Sequence, residues 1–431
     1  MTSSALLTDH YELTMLQAAL RNQTAHRQSV FEVFSRRLSG RRRYGLLAGT
    51  GRILDELARF RFGDDEISHL SDANVVDDAT CEWLANYRFT GSISGYAEGE
   101  VYFPGSPVLQ VEGTFAEGVI LETLILSILN YDSAIASAAS RMTRAAKNRP
   151  CIEMGSRRAH EQAAVAAARA AYIAGFSATS NLEAGRRFAI PTTGTAAHSF
   201  TLLHDSEREA FQAQVDALGV ETTLLVDTYD TAQGIRTAVE VAGTGLGAIR
   251  LDSGDLAQEA RDARVLLDSL GATSTRIIVT SDLDEYAIAA LEAAPVDGYG
   301  VGTSLVTGSS VPTSGFVYKL VSRQGDDGTW VPVAKRSTGK MSMGGRKHAL
   351  RRLDENQIAT AEVIGIDRIA TNDGNDRNLM VELVRGGERV DHRTVVDARA
   401  HAAMALAELP ASAHRLSTGD PAIVTIIEED S

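Results

Sequence analysis

Four stretches share one pattern: Thr223-Leu-Leu-Val-Asp-Thr-Tyr-Asp230, Gly247-Ala-Ile-Arg-Leu-Asp-Ser-Gly-Asp255, Arg276-Ile-Ile-Val-Thr-Ser-Asp282 and Gly298-Tyr-Gly-Val-Gly-Thr-Ser304. Each opens with a short apolar run and closes on carboxylates, hydroxyls or glycine. Helix-like segments at about 230–242, 255–270 and 284–293 separate them. Short apolar runs alternating with helices predict parallel strands joined by right-handed crossovers. Toward the N-terminus, Cys151-Ile-Glu-Met-Gly155, Phe176-Ser-Ala-Thr179 and Ala189-Ile-Pro-Thr192 extend the series to seven runs. Seven such units predict an α/β fold on an irregular or incomplete (β/α) barrel. A doubly wound open sheet is the alternative that the spacing allows.

The flanks have a different character. Tyr11, Leu13, Met15, Leu16 and Leu20 form an amphipathic helical pattern, and Val30-Phe-Glu-Val-Phe34 alternates like a strand. A helix is expected at about 49–60. Residues 92–115 are β-rich around the turn Pro104-Gly-Ser-Pro107, and 117–146 form a long helical pattern with an interruption near Asn130. The Ala-rich run 163–171 reads as a close-packed helix. Beyond 316, two apolar runs flank Gln324-Gly-Asp-Asp-Gly328 as a hairpin, and strands recur near 360–366 and 379–384. This gives an N-terminal α+β domain at 1–116, a barrel catalytic domain at 117–312 and a β-rich segment at 313–431. The N- and C-terminal segments together build the additional domain.

The chain has 431 residues, 44% hydrophobic and 23% charged, with a formal net charge of −14. An acidic balance argues against a general nucleic-acid binder, which needs a basic face. It leaves room for anionic small substrates, because a local arginine cluster overrides a distant net charge. Two cysteines, Cys81 and Cys151, make no framework, which fits a reducing cytoplasm. No basic-then-apolar leader is present. The apolar stretch from Val119 to Ile128 is broken by Glu122 and is too short to span a bilayer. No membrane partner is therefore expected.

In a barrel, the site lies at the C-terminal ends of the strands. Those ends carry Arg157 and Arg158, Ser180 and Asn181, Thr195 and His198, Asp227 and Asp230, Asp252 and Asp255, Asp282, and finally Gly302-Thr303-Ser304. The glycine-rich end suits a phosphate, since backbone N–H groups can approach the anion closely. Asp255 also reads as a helix cap, whereas Asp252 ends a buried strand. Aspartates with Arg157 and Arg250 among them suit a sugar phosphate carrying Mg²⁺. A lone His198 is commonly just a loop histidine; its company raises its interest. The basic run Arg36–Arg43 reads either as a substrate-facing patch or as a solvated face.

These strand ends resemble the nicotinate phosphoribosyltransferase family, whose fold is the barrel of the type II phosphoribosyltransferase kind. The likeness rests on Leu7-Thr-Asp-His-Tyr-Glu-Leu-Thr-Met15, Glu153-Met-Gly-Ser-Arg-Arg-Ala159, Ala178-Thr-Ser-Asn181, Gly194-Thr-Ala-Ala-His-Ser199, Ile249-Arg-Leu-Asp-Ser-Gly-Asp255 and Gly300-Val-Gly-Thr303. Lys340-Met-Ser-Met-Gly-Gly-Arg-Lys347 resembles the family's basic loop, so the likeness runs in order from about residue 5 to 350. It implies joining of nicotinate to 5-phosphoribosyl 1-diphosphate, with nicotinate mononucleotide and diphosphate as products. It also implies coupling to ATP through a phosphorylated histidine matching His198, with Mg²⁺ as cofactor.

The resemblance further assigns site positions. Tyr11 matches a ring-contacting tyrosine supplied across a homodimer interface. Thr195 and Arg250 match contacts to nicotinate, and Arg157 a position near ring and diphosphate. Asp227, Asp252 and Asp282 match positions around ribose and Mg²⁺, while Gly302 and Thr303 match the 5-phosphate site. Ser180 stands where the related nicotinamide enzyme has an aspartate, which favours the acid as substrate. Met154 departs from relatives that place an aromatic there. Nicotinamide or quinolinate phosphoribosyltransferase activity is the enzymatic alternative, and a nucleotide-sensing scaffold the non-enzymatic one. An isomerase or aldolase fits less well, because no lysine sits at a strand end.

Overall fold

The computed structural model describes residues 3–40, 42–335 and 342–428. The chain forms two compact units, Met1–Ser137 with Val311–Ser431, and Ala138–Ser310. The sequence reading puts boundaries at 116 and 312; the division after 137 falls inside the long helix Glu122–Ala146.

In the first unit, N- and C-terminal strands interleave in one antiparallel seven-stranded sheet. Its order is Trp330–Pro332, Phe316–Gln324, Gln28–Ser35, Leu109–Thr114, Ser92–Tyr96, Met380–Arg385 and Glu388–Arg389. The pairing of Gln28–Ser35 with Phe316–Gln324 is driven by apolar residues on a shared face. Phe31 stacks on Tyr318 with ring centroids 4.9 Å apart, and both are buried in the core with Val33, Val111, Ile125 and Leu383. A second sheet holds Arg377–Asn378, Lys347–Leu353, Ala359–Ile366 and Val424–Glu428. The C-terminal segment also contains the helix Val395–Ala407, so it is not purely β.

The expected interruption at Asn130 is absent. The helical run breaks earlier, between Phe115–Val119 and Glu122–Ala146. Asn130 stays helical because its side chain has tertiary partners: its Oδ1 accepts the Phe316 N–H at 2.8 Å and its Nδ2 donates to the Phe316 carbonyl at 3.3 Å. The run Phe115–Ala146 has the length and hydropathy of a membrane span, more than the sequence reading allowed. Yet 67% of its most apolar window is buried within the protein, as in a core helix.

The second unit is built on a parallel six-stranded sheet. Its order is Ala178–Thr179, Cys151–Glu153, Gly298–Val301, Arg276–Val279, Ala248–Leu251 and Thr223–Leu225. The helices Thr231–Ala242, Leu256–Ser269 and Glu285–Ala290 follow their strands as the spacing predicts. The Ala-rich run lies in the buried helix Glu161–Ile173. The third expected strand, Ala189-Ile-Pro-Thr192, is reduced to a single bridge between Thr179 and Thr192. Pro191 has no N–H to offer a ladder, and Ala189 takes a left-handed φ of 54°. Among the described residues no pairing joins this run to Thr223–Leu225, so the barrel is incomplete.

Candidate active site

The strand-to-helix turns at one end of the parallel sheet gather the chemistry. Strand Thr223–Leu225 leads to Asp227, whose Oδ2 accepts the Asp252 backbone N–H at 2.7 Å and the Ser253 hydroxyl at 2.8 Å. These bonds tie two neighbouring strand ends together. Its Oδ1 is buried without a hydrogen-bond partner and lies 3.9 Å from His198 Nε2. The Asp252 Oδ2 lies at the same 3.9 Å from Nε2, while its Oδ1 accepts the Thr280 hydroxyl from the next strand end. His198 Nδ1 sits 3.1 Å from Thr228 Oγ1. The imidazole is thus held at one nitrogen by a hydroxyl and faces two carboxylates with the other.

Arg250 projects from strand Ala248–Leu251, and its Nη1 donates to Thr195 Oγ1 at 3.1 Å. Its Nε is buried and unpartnered. Burial pulls this guanidinium below its ordinary pKa against the carboxylates of Asp252 and Asp227, and nearby Arg157 adds to the lowering. Two neighbouring arginines, one of them with a free buried Nε, are suited to an anion.

Across the sheet, Glu153 ends strand Cys151–Glu153 with no exposed surface. Its carboxylate accepts the Gly155 N–H and the Thr179 hydroxyl. Burial raises its pKa, and these two bonds oppose the rise. Its carbonyl accepts the Ser180 N–H at 2.8 Å, which leaves the exposed Ser180 side chain at the strand end. Met154 packs against Gly300: a Cβ there would lie 2.7 Å from Met154 Sδ and 2.5 Å from Thr280 Cγ2. Gly302 precedes the short helix Thr303–Val306, with Thr303 exposed. Behind this turn, the Ser309 N–H donates to the Ser304 carbonyl at 2.6 Å, and Glu285 accepts from Ser309 Oγ at 2.7 Å and Arg141 Nε at 2.9 Å.

Asp230 caps the helix Thr231–Ala242, accepting the Gln233 N–H at 2.8 Å, and is not part of the carboxylate group. Asp255 caps the helix Leu256–Ser269. Asp282 is exposed at its strand end and pairs with none of the described residues. It follows Ser281, whose φ of 137° few non-glycine residues adopt. Tyr11 lies in the other unit, on the helix His10–Arg21, and is 45% exposed.

The basic run is partly structural. Buried Arg42 donates to the Val311 carbonyl at 3.2 Å and Arg43 to the Thr418 carbonyl at 3.1 Å, while Arg41 lies outside the described residues. In the basic loop, Lys340 and Met341 also lie outside them. Lys347 is buried against Glu32 at 3.1 Å. Thr228, Thr280 and Asn181 carry contacts that pattern reading leaves unassigned. The available signal is a hydroxyl or amide beside a charged strand-end residue.

Among the described residues, no group of three or more histidine, cysteine or acidic side chains could hold a metal ion. The orphaned, buried Asp227 Oδ1 beside Asp252 nevertheless fits Mg²⁺ bound mainly through substrate phosphates. That ion usually takes only one or two protein carboxylates.

Such an arrangement belongs to α/β enzymes that handle anionic, phosphorylated substrates. Residues 6–130 match the model of the nicotinate phosphoribosyltransferase N-terminal domain. A nicotinate phosphoribosyltransferase of Mycobacterium tuberculosis is 57% identical over 98% of this chain and 95% of its own length. One of Bacillus subtilis is 39% identical over 82% of this chain and 74% of its own. The chain belongs to the nicotinate phosphoribosyltransferase family, and it is an enzyme. The crystal structure of human nicotinic acid phosphoribosyltransferase superposes with a TM-score of 0.83 at 25% identity, covering 98% of both chains. An incomplete barrel, together with a unit in which N- and C-terminal strands share one sheet, is therefore the family's fold.

Proposed function

We propose that the enzyme transfers the phosphoribosyl group of 5-phosphoribosyl 1-diphosphate to nicotinate in NAD salvage, coupled to ATP hydrolysis through transient phosphorylation of His198. The observation that carries this reading is the setting of His198, with Nδ1 on Thr228 and Nε2 facing Asp227 and Asp252. A phosphoryl group there adds charge beside the substrate site, so ATP energy can become substrate affinity.

In the transfer, the pyridine nitrogen displaces diphosphate at the anomeric carbon through an oxocarbenium-like transition state. Arg250 and Thr195 hold the nicotinate carboxylate, and Arg157 stabilises charge on the departing diphosphate. Asp252 and Asp282 position the ribose, and Gly302 and Thr303 take the 5-phosphate. Asp227 and Asp252 would hold Mg²⁺, which supplies charge neutralisation to the diphosphate. Ser180 places no charge against the substrate carboxylate, which favours the acid over the amide. Tyr11, exposed on its helix, is supplied across a homodimer interface. Both cysteines are free and buried, in keeping with a reducing cytoplasm.

The test is product detection with nicotinate, nicotinamide and quinolinate, each with and without ATP. Nicotinate turnover stimulated by ATP is expected. Preference for the amide, or decarboxylating turnover of quinolinate, overturns the reading. His198→Ala should abolish phosphoenzyme while leaving weak ATP-independent transfer; retained acid-labile phosphate would refute the role of His198.

A further inference from the structure

We infer that Glu153 is a positioning residue, setting the spacing between the Arg157 turn and the Ser180 turn. This rests on the proposed function for what those turns bind. Its geometric basis is a closed hydrogen-bonded ring. Glu153 Oε1 accepts the Gly155 N–H, and Oε2 accepts the Thr179 hydroxyl. Thr179 Oγ1 in turn accepts the Asn181 N–H at 2.9 Å. Asn181 Nδ2 donates to Ser156 Oγ at 3.0 Å, which returns the ring to the turn it started from. Asn181 Oδ1 also caps the following helix through the Ala184 N–H at 2.9 Å.

The ring spans two adjacent parallel strands that share few ladder bonds, because Ala178–Thr179 is only two residues long. Side chains therefore carry the alignment that a longer ladder would supply. Arg157 follows Ser156 directly, and Ser180 lies between Thr179 and Asn181, so the ring brackets both substrate-facing groups. Gly155 is required for it: a Cβ there would run into Val306 Cγ1. Glu153 itself has no exposed surface and no cationic partner among the described residues, so it acts as an acceptor for its two donors.

A neutral amide cannot reproduce this. In Glu153→Gln, an amide oxygen placed on the Gly155 N–H leaves the N–H₂ group to donate to the second lone pair of Thr179 Oγ1, which reverses that bond and deprives the hydroxyl proton of its buried acceptor. With the amide oxygen on Thr179 instead, two donors meet at Gly155. Either way a charge-assisted bond of the ring is lost or replaced by a weaker neutral one, and a buried donor is left without an acceptor.

The experiment uses the full-length protein with Glu153→Gln, Thr179→Val and Thr179→Ser. Thermal unfolding, kcat, KM for each substrate and calorimetric binding of inorganic diphosphate are measured on each. We expect KM for nicotinate and the diphosphate dissociation constant to rise about tenfold in Glu153→Gln and Thr179→Val. We expect kcat to stay within about threefold and Thr179→Ser to restore wild-type values. Lower thermal stability with unchanged KM and diphosphate binding would overturn the proposal, as would a fall in kcat with KM unchanged. If Glu153→Gln does not fold, the two Thr179 variants decide the question in the same terms. Diphosphate binding is read without turnover, so failure of the wild-type protein to use nicotinate would count against the proposed function and not against the ring.

Discussion

Replacing Asp227 by asparagine tests the His198 assignment with little change of shape. Asparagine keeps an oxygen for the Asp252 N–H and Ser253 hydroxyl, at 2.7 and 2.8 Å in the wild type, so the two strand ends should stay joined. What changes is the orphan Oδ1, also the proposed Mg²⁺ contact, which becomes an amide N–H₂ facing His198 Nε2; a Mg²⁺ titration of both proteins separates the two effects. Attack on the γ-phosphoryl group puts positive charge on the imidazole ring while the phosphoryl oxygens stay anionic, and a carboxylate 3.9 Å from Nε2 stabilises the ring charge by about 4 kcal/mol at an effective dielectric of ~20, before repulsion of those oxygens is counted. Asp252 stands at the same distance and remains, and the imidazole is 40% exposed, so part of the effect is screened. A residual of about 2–3 kcal/mol corresponds to a slowing on the order of 100-fold. The assay is the single-turnover rate of acid-labile phosphoenzyme formation from labelled ATP at saturating Mg²⁺. ATP-independent transfer is measured alongside. Phosphoenzyme formation within about threefold of wild type, in a variant of normal thermal stability, would refute the electrostatic role of Asp227.

Three further outcomes follow from the same geometry. Gly300→Ala should overpack the gap between Met154 Sδ and Thr280 Cγ2, costing about 1–3 kcal/mol of stability and lowering kcat/KM through the Thr280–Asp252 bond. Adding Met154→Ala should recover part of the stability, and no recovery in denaturant titrations would show that the contact does not limit packing. Arg377 donates to Glu100 at 2.7 and 3.1 Å and to Glu408 at 2.9 and 2.7 Å. Burial pushes the Glu100 carboxyl up, but His401, Arg351 and Arg377 reverse this and hold it at about 2. Arg377→Met should therefore cost about 3 kcal/mol in equilibrium unfolding, and a cost below about 1 would mean that His401 and Arg351 suffice. Burial and neighbouring Asp230 raise Glu207 to about 7, so the folded state favours its protonated form. The resulting stability is fully present below the unfolded carboxylate value and is lost as pH rises through about 7. Solvent contact limits the effect to about 1 kcal/mol. Glu207→Gln should unfold at higher temperature than wild type at about pH 8 and lose that advantage at about pH 5; a pH-independent difference would refute it.

What was legible in the sequence is what local chemistry decides. Thr223–Leu225, Ala248–Leu251, Arg276–Val279 and Gly298–Val301 are apolar runs bounded by polar turns, and they fold as strands in that order. Ala189-Ile-Pro-Thr192 looks the same by hydropathy, but Pro191 and the left-handed Ala189 leave it one bridge. The hydrogen-bonding capacity of the backbone outranks the apolar pattern there. Asp227 and Asp230 show where the reading stops. Both are aspartates at the end of one strand, three residues apart. Asp227 turns toward the neighbouring strand end, while Asp230 meets the first turn of a helix whose orphan N–H groups it caps. Composition cannot separate them, because the difference lies in where the helix begins. Lys347 and Glu32 make the same point at long range. The lysine reads as part of a basic loop, yet its charge is taken up by a carboxylate on a distant strand that only the fold brings to 3.1 Å. Strand-end identity thus proposes candidates, and the partner each one finds decides whether it is left free for a substrate. His198 meets that condition, since Nδ1 is held by Thr228 while Nε2 stays 3.9 Å from both carboxylates, whose charge Arg250 shares.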